Sequence, residues 1–155
     1  MPLALAFILG MVAGLRSMTP PAAVAWATHL GWLDLDDTPL AFFASAPARY
    51  IFLAAMLAEL VGDKLPFTPA RTGVGPFIAR IVSGGVAGAA LGAAGGSSLV
   101  AGVVAGALGA VAGTLGGYRA RTGLVRSLGV PDLPVAVAED AVAIGTALLV
   151  VRALA

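Results

Sequence analysis

The chain alternates long apolar runs with short polar interruptions. The runs fall at about 3–15, 20–33, 50–62, 78–95, 98–117 and 134–151. A helix needs about 20 apolar residues to cross the roughly 30 Å hydrocarbon layer of a bilayer. The last three runs reach or approach that length. The first two are each too short alone. Joined through "RSMTPP" (16–21) they form one interrupted span of about thirty residues, by the same length criterion. The third is long enough only if it continues to Pro66, which places Glu59 inside it and Asp63 and Lys64 near its end. The pattern therefore predicts an all-α polytopic membrane bundle of about five transmembrane helices, the first one broken. Four spans plus a re-entrant hairpin over 3–33 is the close alternative. Residues 1–155 read as a single integral membrane domain, and the N-terminal run as a retained segment rather than a signal peptide, because it lacks a basic start.

Composition strengthens this reading. Hydrophobic residues make up 59% of the chain, charged residues only 11%, and mean hydropathy is +0.99. Soluble domains carry about 25% charged residues, and this chain has too few to cover a water-exposed surface. A net charge of +1 offers no basic face, so nucleic acid is not an expected partner. The chain has no cysteine and one histidine, which removes disulfides, thiolate sites and multi-histidine metal sites. No metal, cofactor or catalytic residue is expected. No nucleophile elbow or zinc-binding helix motif occurs, and "RTGVG" lacks the spacing of a phosphate-binding loop.

Loop charges orient the spans. The 32–49 segment carries Asp34, Asp36 and Asp37 before Arg49. The 63–80 segment carries Lys64, Arg71 and Arg80, and the stretch after the fourth span carries Arg119, Arg121 and Arg126. Basic residues concentrate on the cytoplasmic side. Five spans put both basic segments on one side and the acidic loop on the other. This predicts a multi-pass protein of the cell (inner) membrane with its N-terminus cytoplasmic and its C-terminus outside. Trp26, His29 and Trp32 fit an interfacial aromatic belt.

Glycines recur every four residues at Gly84, Gly88, Gly92 and Gly96, and again at Gly102 and Gly106 and at Gly109 and Gly113. On a helix this spacing leaves a groove in which backbones approach closely, the main attraction available between helices in lipid. A glycine-zipper-like packing is expected, with a homo-oligomer through these faces as a further expectation. "AAGGSS" (93–98) is the turn between two spans.

The polar residues inside apolar runs carry the candidate chemistry. Thr19 followed by Pro20 reads as a helix start, threonine as N-cap and proline at the first helical position. "FTPAR", with Thr68 and Pro69, repeats that grammar. A helix N-terminus exposes free amides and a positive dipole end, so with Arg16 beside it the break offers an anion or carboxylate site. Irregular backbone at membrane depth must face protein or water, which makes Arg16, Ser17 and Thr19 candidates for lining a polar pathway; an interfacial turn with Arg16 snorkelling is the bland alternative. Glu59, Glu139 and Asp140 lie within apolar segments, where a charge costs about 2.5–3.5 kcal/mol unless paired. Arg16, Lys64, Arg80 and Arg119 are the available partners. The candidate pathway set is thus Arg16, Ser17, Thr19, Glu59, Asp63, Lys64, Arg80, Arg119, Glu139 and Asp140. It suggests a small transporter or channel for an ion or small polar solute, with Arg16 at a half-helix start leaning towards an anionic one. The alternatives are a membrane enzyme acting on a lipid or prenyl phosphate, using Glu59, Asp63, Glu139 and Asp140 around a divalent ion, or a structural accessory subunit.

The segments "AGLRSMTPPAAVAWA", "LAELVGDKLPFTPARTG", "ARIVSGGVAGAALG", "GALGAVAGTLGGYRAR" and "AVAEDAVAIG" occur in this order. Together they resemble a bacterial membrane-protein family described as the domain of unknown function number forty-one twenty-six. The resemblance covers nearly the whole chain, with "DKLP" and the nearby glutamate its most distinctive piece. It implies small size, several spans and bacterial origin, and assigns no activity. It marks Arg16, Glu59, Asp63, Lys64, Arg71, Arg119, Glu139 and Asp140 as matching the family pattern without giving them roles.

Overall fold

The structure is a computed structural model and describes residues 1–65 and 72–155; Thr68, Pro69 and Arg71 lie outside them. The described residues form α1 (Pro2–Leu15), α2 (Thr19–His29), a short 3-10 turn (Ala41–Ala44), α3 (Ala46–Gly62), α4 (Val74–Ala94), α5 (Leu99–Leu128) and α6 (Asp132–Arg152). Local sequence accounts for the boundaries. Proline stands in the first turn of α1, α2 and α3, where its missing amide costs nothing. Ser45 and Ser98 cap α3 and α5, their hydroxyls accepting from the Ala48 and Ala101 amides. α5 ends on Gly129 in the left-handed region, with Pro131 close behind. The α4–α5 turn likewise uses Gly96, at φ 71°.

α4, α5 and α6 are long and apolar enough to cross a membrane. Leucine, valine and isoleucine side chains are exposed on the outer faces of these helices, among them Ile78, Val82, Val104, Leu108, Val142 and Leu149. An apolar exterior of this extent suits lipid rather than water. The expectation of a membrane helical bundle is met at this level.

Glycine places three of the helices. A Cβ at Gly106 would lie 2.0 Å from the Gly84 carbonyl oxygen, and one at Gly88 2.3 Å from that of Gly102. α4 and α5 are therefore an antiparallel pair in backbone contact. On the adjoining face of α5, a Cβ at Gly109 would meet the Phe7 oxygen at 2.1 Å and one at Gly113 the Met11 oxygen at 2.1 Å. α1 thus runs parallel to α5. The four-residue glycine spacing is used within the chain, joining α1, α4 and α5 into one close-packed seam.

Side-chain pairs then fix the direction of the rest. Thr114 on α5 donates to the Gly14 carbonyl, which sets the level at which α1 ends. Arg121, two turns further along α5, pairs with Asp132 at the start of α6 and with Glu139 one α6 face below it. α6 therefore descends beside α1, antiparallel to α5. Its far end returns to the level where α1 began: the Arg152 guanidinium lies 4.9 Å over the Trp32 ring, just beyond α2. α2 accordingly descends with α6, opposite in direction to α1. Ala6, Leu9 and Val12 of α1 share one apolar core with Ala23, Val24 and Ala27 of α2 and with Ala143, Ala147 and Val151 of α6.

The break at 16–18 is where the sequence places it. Its two arms run antiparallel and share one apolar core. Residues 2–29 form a helical hairpin with Arg16, Ser17 and Met18 at its tip. The reason is visible at the tip: Arg16 takes extended backbone (φ −141°, ψ 110°), a reversal that a proline kink in one continuous helix would not give.

Candidate functional site

The hairpin tip is held by side chains from α3 and the residues just after it, from α4 and from α6. Arg16 is the hub and is fully buried. Its Nε donates to Asp140 Oδ1 of α6 at 2.5 Å, its Nη1 to Asp63 Oδ2 at 2.5 Å, and its Nη2 lies 3.8 Å from Glu139 Oε2. Asp140 is shared: its other oxygen accepts from Lys64 Nζ at 2.5 Å, and the same ammonium donates to the Leu60 carbonyl at 2.6 Å. Charge-assisted bonds of this kind are about twice as strong as neutral ones. They are what makes a guanidinium tolerable in a dry interior, where an unpaired one would cost several kcal/mol.

Glu59 of α3 performs a different task. Its carboxylate accepts from the Ser17 amide and hydroxyl, both at 2.7 Å, and from the Met18 amide at 2.8 Å. The start of α2 is indeed an anion site, and the anion is the protein's own. Thr19 does not cap α2 as its spacing predicts. Helix α2 begins at Thr19 with no side-chain cap, and the Thr19 hydroxyl is buried without a hydrogen-bond partner among the described residues. A carboxylate is the stronger acceptor for the tip amides, and α3 delivers one.

α4 closes the tip from the other side. Ser83 Oγ donates to the Ser17 carbonyl. Arg80 Nη2 lies 3.9 Å from Glu59 Oε1 and 4.0 Å from Asp63 Oδ2, while its Nη1 donates to the Pro76 carbonyl. On α5, Arg121 pairs with Asp132 and reaches Glu139 Oε2 at 3.3 Å.

The structure thus brings together Arg16, Ser17, Glu59, Asp63, Lys64, Arg80, Glu139 and Asp140, with Thr19 at their edge. Arg119 is not among them. It is exposed on α5, and Arg121 takes the role expected of it. Two helical residues differ by about 200° in direction, so only one of the pair can face α6. Sequence reasoning also passed over Asp132 and Ser83; a lone serine between Val82 and Gly84 was the available signal for the latter.

Glu59, Asp63, Glu139 and Asp140 all reach the hairpin tip, where Asp63, Glu139 and Asp140 face Arg16 and Glu59 accepts from the Ser17 and Met18 amides. Among the described residues no set of three or more acidic or histidine side chains is arranged to hold a metal ion. The cluster is not sealed. A cleft of about 330 Å³ lined by Asp63, Lys64, Leu65, Arg121, Asp132, Leu133 and Ala136 opens beside it. On the far side of the hairpin tip lies the apolar core of Leu9, Val24, Leu91, Ala143 and Val151. The site is therefore polar and accessible at one end and apolar at the other.

His29 is exposed at the end of α2, its ring edge-on to Trp26 with centroids 5.9 Å apart. It lies at the opposite end of α2 from the cluster.

No curated protein and no solved structure matches the chain. The family model described as "Domain of unknown function (DUF4126)" matches residues 3–153, and the chain belongs to that family.

Proposed function

We propose that the protein is a small membrane transporter that moves an ion or small polar solute past the tip of the α1–α2 hairpin. The observation that carries this reading is the fully buried Arg16, bonded to Asp63 at the end of α3 and to Asp140 of α6, beside a cleft whose lining includes Asp63, Lys64, Arg121 and Asp132. Ionisable residues inside a membrane bundle are a functional feature by default, and broken helices meeting at membrane depth are a common design of transporter sites. The pathway consists of Arg16, Ser17, Thr19, Glu59, Asp63, Lys64, Arg80, Glu139 and Asp140. A polar end facing an apolar core favours a carrier that alternates between two arrangements over an open channel. Asp140 is the natural exchange point, because Arg16 and Lys64 share it and either can hold it while the other is engaged by cargo.

The test is flux in proteoliposomes, with a panel of monovalent ions and small carboxylates and a pH-sensitive dye inside. Protein-dependent flux that falls at least about tenfold in Asp140→Asn, the size expected for losing one charge-assisted bond, supports the reading. Flux equal to that of empty vesicles across the panel, or flux unchanged in Asp140→Asn, overturns it. A purely structural role has one observation in its favour, the close pairing of the bases with acids; it predicts a variant that loses stability and no wild-type flux at all.

The hairpin also changes the membrane topology we propose. α3 to α6 make four crossings, with α1 and α2 entering and leaving on one side. The basic ends at Lys64, Arg119, Arg121 and Arg126 then face the cytoplasm. Both termini face the opposite side, which reverses the N-terminus expected from five spans. Because the chain lacks cysteine, single cysteines placed next to Met1 and Ala155 can be labelled in intact cells by a membrane-impermeant maleimide. Labelling of both is expected, and protection of the N-terminal one would restore the five-span arrangement.

A further inference from the structure

At the other end of α3 from the charge cluster stands a cation of a different kind. Arg49 lies in the first turn of α3 and is half-buried. Arg16, Lys64, Arg80 and Arg121 each have a carboxylate within 4.0 Å. Arg49 has none among the described residues. Its guanidinium lies instead over two rings, 5.6 Å from the Trp26 centroid and 5.2 Å from that of Tyr50. Trp26 and Tyr50 meet edge to face at 6.3 Å, and His29 packs on Trp26 from the next helical turn. Arg49 Nε and Trp26 Nε1 are both buried and have no hydrogen-bond acceptor among the described residues.

Two donors and a fixed positive charge without an acceptor describe half of an anion site. Two aromatic rings flank the guanidinium, whose forked donors suit the bidentate geometry of phosphate. The surroundings identify the carrier of that phosphate. Leu30, Tyr50 and Ile51 are 52%, 59% and 63% exposed beside the site, an apolar border that suits acyl chains and not a free ion. Tryptophan, tyrosine and a snorkelling arginine together mark the headgroup level of a membrane.

We propose that Arg49, Trp26, Tyr50 and His29 form a binding site for the phosphate headgroup of an anionic membrane lipid, on the face of the protein opposite the charge cluster. Arg49 supplies the charge, Trp26 and His29 supply further donors, and Leu30 and Ile51 meet the lipid tails. The site stands independently of the transport reading.

The chain has two tryptophans, so Trp32→Phe leaves Trp26 as the only indole. In that full-length background, reconstituted into mixed bilayers, quenching of Trp26 by brominated phosphatidylglycerol is compared with quenching by brominated phosphatidylcholine. A preference of about tenfold for phosphatidylglycerol is expected, the scale of one charge-assisted contact. Arg49→Gln should erase the preference, and millimolar inorganic phosphate should leave it intact. Equal quenching by the two lipids overturns the site, and this comparison needs no variant at Arg49. A preference that survives Arg49→Gln assigns it to the bilayer surface and also overturns the site. Displacement by inorganic phosphate would make this a free-phosphate site and overturn the lipid assignment.

Discussion

Two regions of this protein solve one problem in opposite ways. In lipid, helices gain little from burying apolar surface against one another. The seam of α1, α4 and α5 replaces that missing attraction with backbone proximity and no charge at all. The hairpin tip replaces it with charge, using Arg16 to join α1 to α3 and α6. The seam is symmetric along its length, so one glycine step resembles the next. The tip is directional, since each of its carboxylates is paired with particular donors. The lesson is that packing density and position are specified separately here: glycine sets how close the helices come, and the ions set which helices meet and at what height.

The difference can be broken most forcefully at Arg16. Arg16→Met should lower stability in detergent by about 3–5 kcal/mol, because it strands buried carboxylates. Adding Asp63→Asn to Arg16→Met should recover part of that loss, because it removes a carboxylate that has lost its guanidinium while Asp140 keeps Lys64. Chemical unfolding followed by circular dichroism checks both. The seam should behave otherwise. Gly106→Ala places a methyl against the Gly84 carbonyl and should cost about 1–3 kcal/mol. No second substitution can relieve it, since the facing residue is already glycine. A Gly106→Ala protein as stable as wild type would dissolve the distinction between the regions.

Smaller effects sharpen it further. Glu59→Gln keeps one acceptor oxygen for the tip amides and should cost about 1 kcal/mol, within the range measured for polar contacts between membrane helices. Its signature is local: amide exchange at Ser17 and Met18 should quicken while the seam stays protected. Smallest is Gly116→Ala on α5, where a Cβ meets nothing within 4 Å. It should change stability by a few tenths to about 1 kcal/mol in the favourable direction, from helix propensity alone. The contrast between Gly106 and Gly116, ten residues apart on one helix, separates glycine as contact from glycine as composition.

Much of this was legible in the string. Helix positions followed from the apolar runs, and the interruption at "RSMTPP" fell at the observed turn. The acids and bases of the cluster were named from their apolar surroundings, because burial of an ion demands partners. What the residues could not reveal was direction. Each arm of the hairpin is too short to cross alone, and length cannot tell two halves of one span from two arms that return. The partner of the α2 amides was hidden for the same reason: Thr19 satisfies every local rule for a cap, and only the approach of α3 puts Glu59 there first. Arg119 and Arg121 differ by rotation about α5, which depends on where α6 lies.

The bonds of Arg16 span long stretches of chain. Asp63 follows it by 47 residues and Asp140 by 124. Ribosomes add roughly 5–20 residues each second, so the wait for Asp140 lasts on the order of ten seconds. Until Asp63 emerges the nascent α1–α2 pair holds a cation without either of its bonded carboxylates, and until Asp140 emerges it holds only one of the two. Biogenesis must therefore keep this pair in a polar waiting place, at the translocation machinery or the headgroup layer, until the last helix arrives and lets it slide home.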